Sequence, residues 1–196
     1  MSTGYTILHV EIEGDGGMVM HNGQTANPLN PYAKAIKQIS GKRKKVDADH
    51  EAMAGIEWEA GLYLDDDKGV YLPGYVVEAC IVNGAKKTKD GQTAKTCLFV
   101  EGDAQFFVDG KAVKLDDIKD SPKYQLAVPV KVQTSRVMRT RPMFKNWSSK
   151  FTLHVMKDVA NTVAVKSWIE NAGSLVGLCD WRPRYGRFRI KSFKEA

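Results

Sequence analysis

Gly173-Ser-Leu-Val-Gly-Leu-Cys-Asp-Trp-Arg-Pro-Arg-Tyr-Gly-Arg-Phe-Arg-Ile190 closes a helix, forms a loop and opens a strand. Gly173 follows the helical run 163–172 where a left-handed residue is expected to end it, and Gly177 and Gly186 bracket a loop that needs unusual backbone angles. Pro183 stiffens the loop. Arg182, Arg184, Arg187 and Arg189 alternate with Trp181, Tyr185 and Phe188, which sets guanidinium forks suited to phosphate beside planes on which a base can stack. The competing reading is a solvated basic loop whose aromatic residues turn inward.

Outward from this loop, 150–156 alternates apolar and polar as a strand does, Asn161 or Thr162 caps a helix to Ala172, and 187–193 supplies a last strand. At the other end of the chain, 5–13 is a strand with Tyr5, Ile7, Leu8, Val10 and Ile12 set against Thr6, His9, Glu11 and Glu13. Between them lie a helix at 75–87, with Val76, Val77, Cys80, Ile81 and Gly84 on one stripe, and a strand at 94–100. The order is β-α-β-β-α-β. It predicts an α+β chain with a modified ferredoxin-like, RNA-recognition-motif arrangement in a single domain over 1–196, interrupted by insertions at about 14–73 and 101–148.

The first insertion carries a helix capped by Asn30 with Pro31 at its first position, running to about Ser40. A second helix runs from about Asp47 to Ala60, and a short hairpin turns around Asp65-Asp66-Asp67-Lys68-Gly69. Lys42-Arg43-Lys44-Lys45 lies at the corner between the two helices and, with Lys34 and Lys37, forms a second candidate phosphate patch. The later insertion holds a hairpin around Asp109-Gly110 and the basic, aromatic run Val137-Met-Arg-Thr-Arg-Pro-Met-Phe-Lys-Asn-Trp147.

Charge is distributed unevenly. From Lys131 onward there are fourteen Lys and Arg against four Asp and Glu, a balance of +10, while residues 1–130 carry −4 of the total +6. Seven of the eight arginines fall in that last third, and arginine is the side chain suited to bidentate phosphate contact, so a polyanion is the expected partner. No run of about eighteen apolar residues predicts a membrane span, no basic start followed by an apolar run predicts a secretory leader, and the three cysteines lack a Cys-x-x-Cys pair. The expectation is a bacterial or phage-infected host cytoplasm.

Tyr71-Leu-Pro-Gly-Tyr-Val-Val-Glu-Ala-Cys-Ile-Val-Asn-Gly-Ala-Lys86 resembles the strand, Pro-Gly, helix signature of the RAMP superfamily, which includes the backbone subunits of CRISPR effector complexes. The loop 177–188 is similar to that superfamily's C-terminal glycine-rich loop, and Met18-Val-Met-His-Asn22 sits where its first strand opens into a loop. The resemblance implies a fold that wraps single-stranded nucleic acid, its insertions acting as thumb and finger, with subunits stacking into a filament. It also implies a small stand-alone relative of phage origin. Glu78 stands where that family often has Lys or a small residue, and the C-terminal loop is richer in Arg and aromatics than in Gly.

Motifs of phosphate-loop NTPases, serine esterases and zinc peptidases do not occur. Asp47-Ala-Asp49-His50-Glu51 and Asp65-Asp66-Asp67 are read as a helix first turn and a solvated hairpin tip rather than metal sites. The expectation is therefore a non-catalytic protein that binds RNA or single-stranded DNA and forms a homo-oligomer along it, with no cofactor and no small-molecule substrate. Its contact residues are Lys42, Arg43, Lys44, Lys45, Arg136, Arg139, Arg141, Lys145, Trp147, Trp181, Arg182, Arg184, Tyr185 and Arg187. Two alternatives stand beside it: a metal-independent endoribonuclease with His21 as general base, and a structural or inhibitory protein that docks on another protein.

Overall fold

The structure, a computed structural model, describes residues 4–132 and 134–196. Strand β1 (Tyr5–Gly14) is followed by β2 (Met18–Val19), α1 (Pro31–Ser40), α2 (Asp47–Ala60), β3 (Leu64–Asp65), β4 (Gly69–Leu72) and α3 (Gly74–Ala85). Next come α4 (Gly91–Cys97), β5 (Leu98–Val100), β6 (Ala104–Val108), β7 (Lys111–Ala112) and α5 (Leu115–Ile118). The chain ends with β8 (Gln125–Val132), β9 (Ser135–Phe144), β10 (Trp147–Met156), α6 (Thr162–Asn171) and β11 (Phe188–Glu195).

The larger sheet runs β11-β1-β10-β6-β4-β3, with β5 also paired to β10 and β7 to β6. Its named pairs are antiparallel. With α3 and α6 packed on one face, this α+β arrangement is compatible with the ferredoxin-like order expected from the sequence. Gly84 is what brings the helices together: a Cβ there would stand 2.3 Å from the Trp168 carbonyl oxygen. The core joins Leu8, Val10 and Ile12 of β1, Val77, Cys80 and Ile81 of α3, Leu153 and Val155 of β10, and Val165, Trp168 and Ile169 of α6.

Several elements follow from local chemistry. The Asn30 side chain accepts the Tyr32 amide N–H ahead of Pro31, and the Asn161 side chain accepts the Ala164 amide N–H at 2.8 Å, so both helices begin where their caps predict. Asp49 accepts the Val46 amide N–H, and Asp65 Oδ1 accepts those of Asp67 and Lys68. The two acidic stretches are thus a capped first turn and a turn closure. Asp109 and Gly110 both have left-handed φ, 50° and 77°, which suits the tight β6–β7 hairpin.

Four expectations change. The predicted strand 94–100 begins as helix α4, because Gly91, Ala94 and Cys97 bury one helical face, and only Leu98–Val100 is extended. That strand then continues: β5 and β6 pair with the same β10, offset by two residues, so the sheet reaches Val108 inside the segment assigned to the second insertion. In β1 the buried set is Leu8, Val10 and Ile12, and Tyr5 and Ile7 face outward. Finally, Gly173 does not stop the helix. The helix widens into a π-turn at Ala172–Val176, and Gly177, at φ 82°, ends it. Gly173 is needed for close approach, since a Cβ there would lie 2.1 Å from the Phe188 carbonyl oxygen.

A smaller sheet, β2-β9-β8, is built from the two insertions. The long β8–β9 hairpin packs its root on α2 and carries Arg136 and the exposed Val137 and Met138 near its tip. Among the described residues no helix is long and apolar enough to cross a membrane.

Candidate nucleic-acid interface

The loop after Gly177 is held by its backbone. Leu178 N–H donates to the Gly186 carbonyl, Asp180 N–H to Val19, Gly186 N–H to Gly17, and Asp15 N–H to Arg187, at 2.8 to 3.0 Å. Gly186 must be glycine, as a Cβ would meet the Leu178 carbonyl oxygen at 2.0 Å with φ at 78°. Cys80 Sγ lies 3.2 Å from the Gly177 carbonyl oxygen, tying the loop to α3. Burial pushes that thiol up to about 12, so it stays protonated and able to donate.

On this frame Trp181 is 46% exposed and its ring centroid lies 5.5 Å from that of half-buried Tyr185, at 53° between planes. Arg184 places its guanidinium carbon 5.9 Å from the Tyr185 centroid. Arg182, Arg184 and Arg187 are exposed and, among the described residues, form no ion pair with a carboxylate. Arg189 is different: its guanidinium is forked onto Glu13 and Asp15 across the strand pair. Phe188 is a core residue at 5% exposure, edge-on to Trp147.

The structure links this loop to the second basic cluster through β2. Val19 bridges to Asp180 on one side and pairs with Met143 of β9 on the other. Asp180 then faces two groups, Arg141 Nε at 3.4 Å and His21 Nδ1 at 3.7 Å. Arg139 donates to Glu57 Oε1, while Glu57 Oε2 accepts the Thr140 amide N–H at 3.1 Å. Glu57 is 8% exposed, so its charge is held at the root of the hairpin by those two donors.

His21, Arg139 and Arg141 line one cleft of about 320 Å³ between α1, α2 and β9, walled on its apolar side by Ala33, Ile36 and Ala60. Burial, reinforced by the neighbouring Arg141 charge, lowers the His21 pKa below its ordinary 6.5 despite the opposing pull of Asp180, so the ring is neutral at pH 7. Sequence reasoning missed Glu57 and Asp180. Neither spacing nor neighbours single them out, and only long-range pairing gives them a role.

Four of the expected contacts change. Trp147 is 1% exposed, with Nε1 donating to the Gly16 carbonyl at 3.0 Å and its ring covering Gly14, so it is core and cannot stack on a base. Arg139 is tied to a buried carboxylate rather than free for phosphate. Lys42 is paired with Asp49 and Lys45 Nζ donates to the Lys42 carbonyl, while Arg43 and Lys44 are exposed and form no ion pair among the described residues. The run also sits apart from the loop: it precedes the first turn of α2, while Glu57 at the cleft lies ten residues on, about 15 Å along the axis. Arg136 is near the hairpin tip, five strand residues or about 17 Å from Arg141, and Lys145 is exposed at the β9–β10 turn.

No protein-family model matches the chain. No curated protein matches it either. Among solved structures, it is similar to a chain of the type III-B Cmr-beta complex bound to cognate target RNA, determined by cryo-EM, with TM-score 0.45 and 14% identity over 97% of this chain. The match takes in 60% of that longer chain.

Proposed function

We propose that the protein is a non-catalytic binder of single-stranded nucleic acid that oligomerises along its ligand. The observation that carries this reading is the 177–187 loop. Its backbone is fixed at several points, yet it projects exposed Trp181 beside half-buried Tyr185 and three arginines that form no ion pair among the described residues. Arginines without a carboxylate partner keep their donors for phosphate, and two tilted rings offer faces to successive bases. Arg136 and Lys145 extend the basic surface along the hairpin, and exposed Val137 and Met138 at its tip are apolar surface that a second copy would cover.

The test is binding of labelled single strands across a salt series. Log affinity should fall linearly with log salt, and the slope counts phosphate contacts. A flat response would remove the electrostatic basis of the reading.

A second reading is favoured by the neutral His21 beside Asp180 and Arg141. In an RNA ligand, His21 would take the proton of a 2′-hydroxyl whose oxygen attacks the adjacent phosphorus. The 5′-oxygen would leave, with a 2′,3′-cyclic phosphate behind. Strand cleavage by the purified protein that vanishes in His21→Ala would establish this reading, and intact RNA after long incubation would exclude it.

A further inference from the structure

We infer that the α1–α2–β9 cleft is a subsite for one unstacked nucleobase, with guanine preferred; this rests on the single-strand reading above. The argument begins with charge. Both cationic walls are already opposed, Arg139 by Glu57 and Arg141 by Asp180, and His21 is neutral. A phosphate entering here would meet the fixed Glu57 carboxylate, both of whose oxygens are bound and which is too buried to swing away. The cleft therefore suits an uncharged guest, and phosphates belong on the arginines of the loop.

Shape and hydrogen bonding narrow the guest further. At about 320 Å³ the cleft is near the small end of ligand cavities, roughly 300 Å³ upward, enough for one nucleoside. Ala33, Ile36 and Ala60 give an aliphatic wall for the flat face of a ring. On the polar side the carboxamide and carboxylate oxygens are already engaged: the Asn22 oxygen takes the Gln24 amide N–H, and each Glu57 oxygen accepts one N–H. Donors remain, because a guanidinium has five N–H groups. Arg141 uses its Nε toward Asp180 and Arg139 uses one terminal nitrogen toward Glu57. A base edge with two adjacent acceptors fits such donors. Guanine presents O6 and N7 in that way, whereas adenine sets an N–H₂ group beside N7 and would turn donor against donor.

The experiment titrates the full chain with guanosine and with adenosine, which carry no phosphate, and follows the ring protons of His21 by NMR. Guanosine should shift them with an affinity at least about fivefold tighter than adenosine, the lower end of what one bidentate contact contributes. Equal responses to the two nucleosides, no response to either, or an equal response to inorganic phosphate would overturn the inference. Ala33→Phe, which fills the cleft from α1, should abolish the guanosine response. It should also erase any preference for guanine-containing over all-adenine strands while leaving salt-dependent binding of the latter unchanged. The nucleoside titration needs no variant, so a misfolded Ala33→Phe leaves the test intact. The two readings also fail separately. If Arg184→Ala weakens strand binding and guanosine does not bind, the loop interface stands and the subsite falls; if guanosine binds and no strand does, the interface falls.

Discussion

The chain carries two segments of near-identical character, 136–147 and 181–189, each a mixture of arginines with aromatic residues, and the fold spends them differently. In the first, Arg139 and Arg141 turn to carboxylates and Trp147 fills the core. In the second, only Arg189 and Phe188 are so consumed, and Trp181, Arg182, Arg184, Tyr185 and Arg187 remain at least partly open to solvent. Composition announces a capacity for binding, but the supply of distant acids and the sheet's need for large side chains decide which segment keeps it.

The sharpest contrast is between the two tryptophans. Trp147→Ala should cost about 3 to 5 kcal/mol of folding stability, since a buried indole leaves both a cavity and an unmet Gly16 carbonyl. Trp181→Ala should leave the melting temperature nearly unchanged. Equal melting temperatures in the two variants would break the comparison at its root. Next in size is Arg139→Ala, which strands the Glu57 charge and should cost about 3 kcal/mol in chemical denaturation, with the double variant Arg139→Ala/Glu57→Gln recovering much of it. A loss of strand binding without loss of stability would instead return Arg139 to the interface.

Tyr185→Ala should weaken single-strand binding by about 1 to 3 kcal/mol with folding preserved. Arg184→Ala is its control, expected to reduce the log–log salt slope by about 0.7 without removing a stacking plane. Normal binding by Tyr185→Ala, or loss of binding only through unfolding, would sink the stacking role. The smallest effect concerns pH. Because the His21 pKa is lowered in the folded state, the unfolded chain holds the extra proton as pH falls below about 6.5. Stability is therefore full above that value and declines below it, until the folded group also titrates. Melting curves from pH 8 to 5 should show His21→Gln losing less stability over this range than the parent; parallel curves would mean the cleft does not disfavour the charged ring.

What was legible in the sequence is what is decided within a few residues. Caps at Asn30 and Asn161, the turn at Asp109-Gly110 and the helix start near Asp47 fall where their local chemistry puts them. The errors arise where two parts of the chain meet. Residues 94–97 carry no local signal against a strand, and a buried face turns them helical. Glycine 173 looks like a helix stop but answers to a passing strand, and Trp147 looks like a base platform but covers Gly14. The candidate loop was visible in outline. The ties of Asp180 to Arg141 and His21, and of Glu57 to Arg139, span 39 to 159 positions and leave no trace in either neighbourhood.

The backbone fastening of the 177–187 loop separates scaffold from chemistry. Its anchors are amides, carbonyls, two glycines and the Cys80 thiol, so the side chains at 182, 184 and 187 take no part in those ties. Such a loop can drift. Variants exchanging those residues should fold as the parent does while changing what they hold, which makes this stretch the natural place for diversification under selection and for redesign of specificity by saturation libraries.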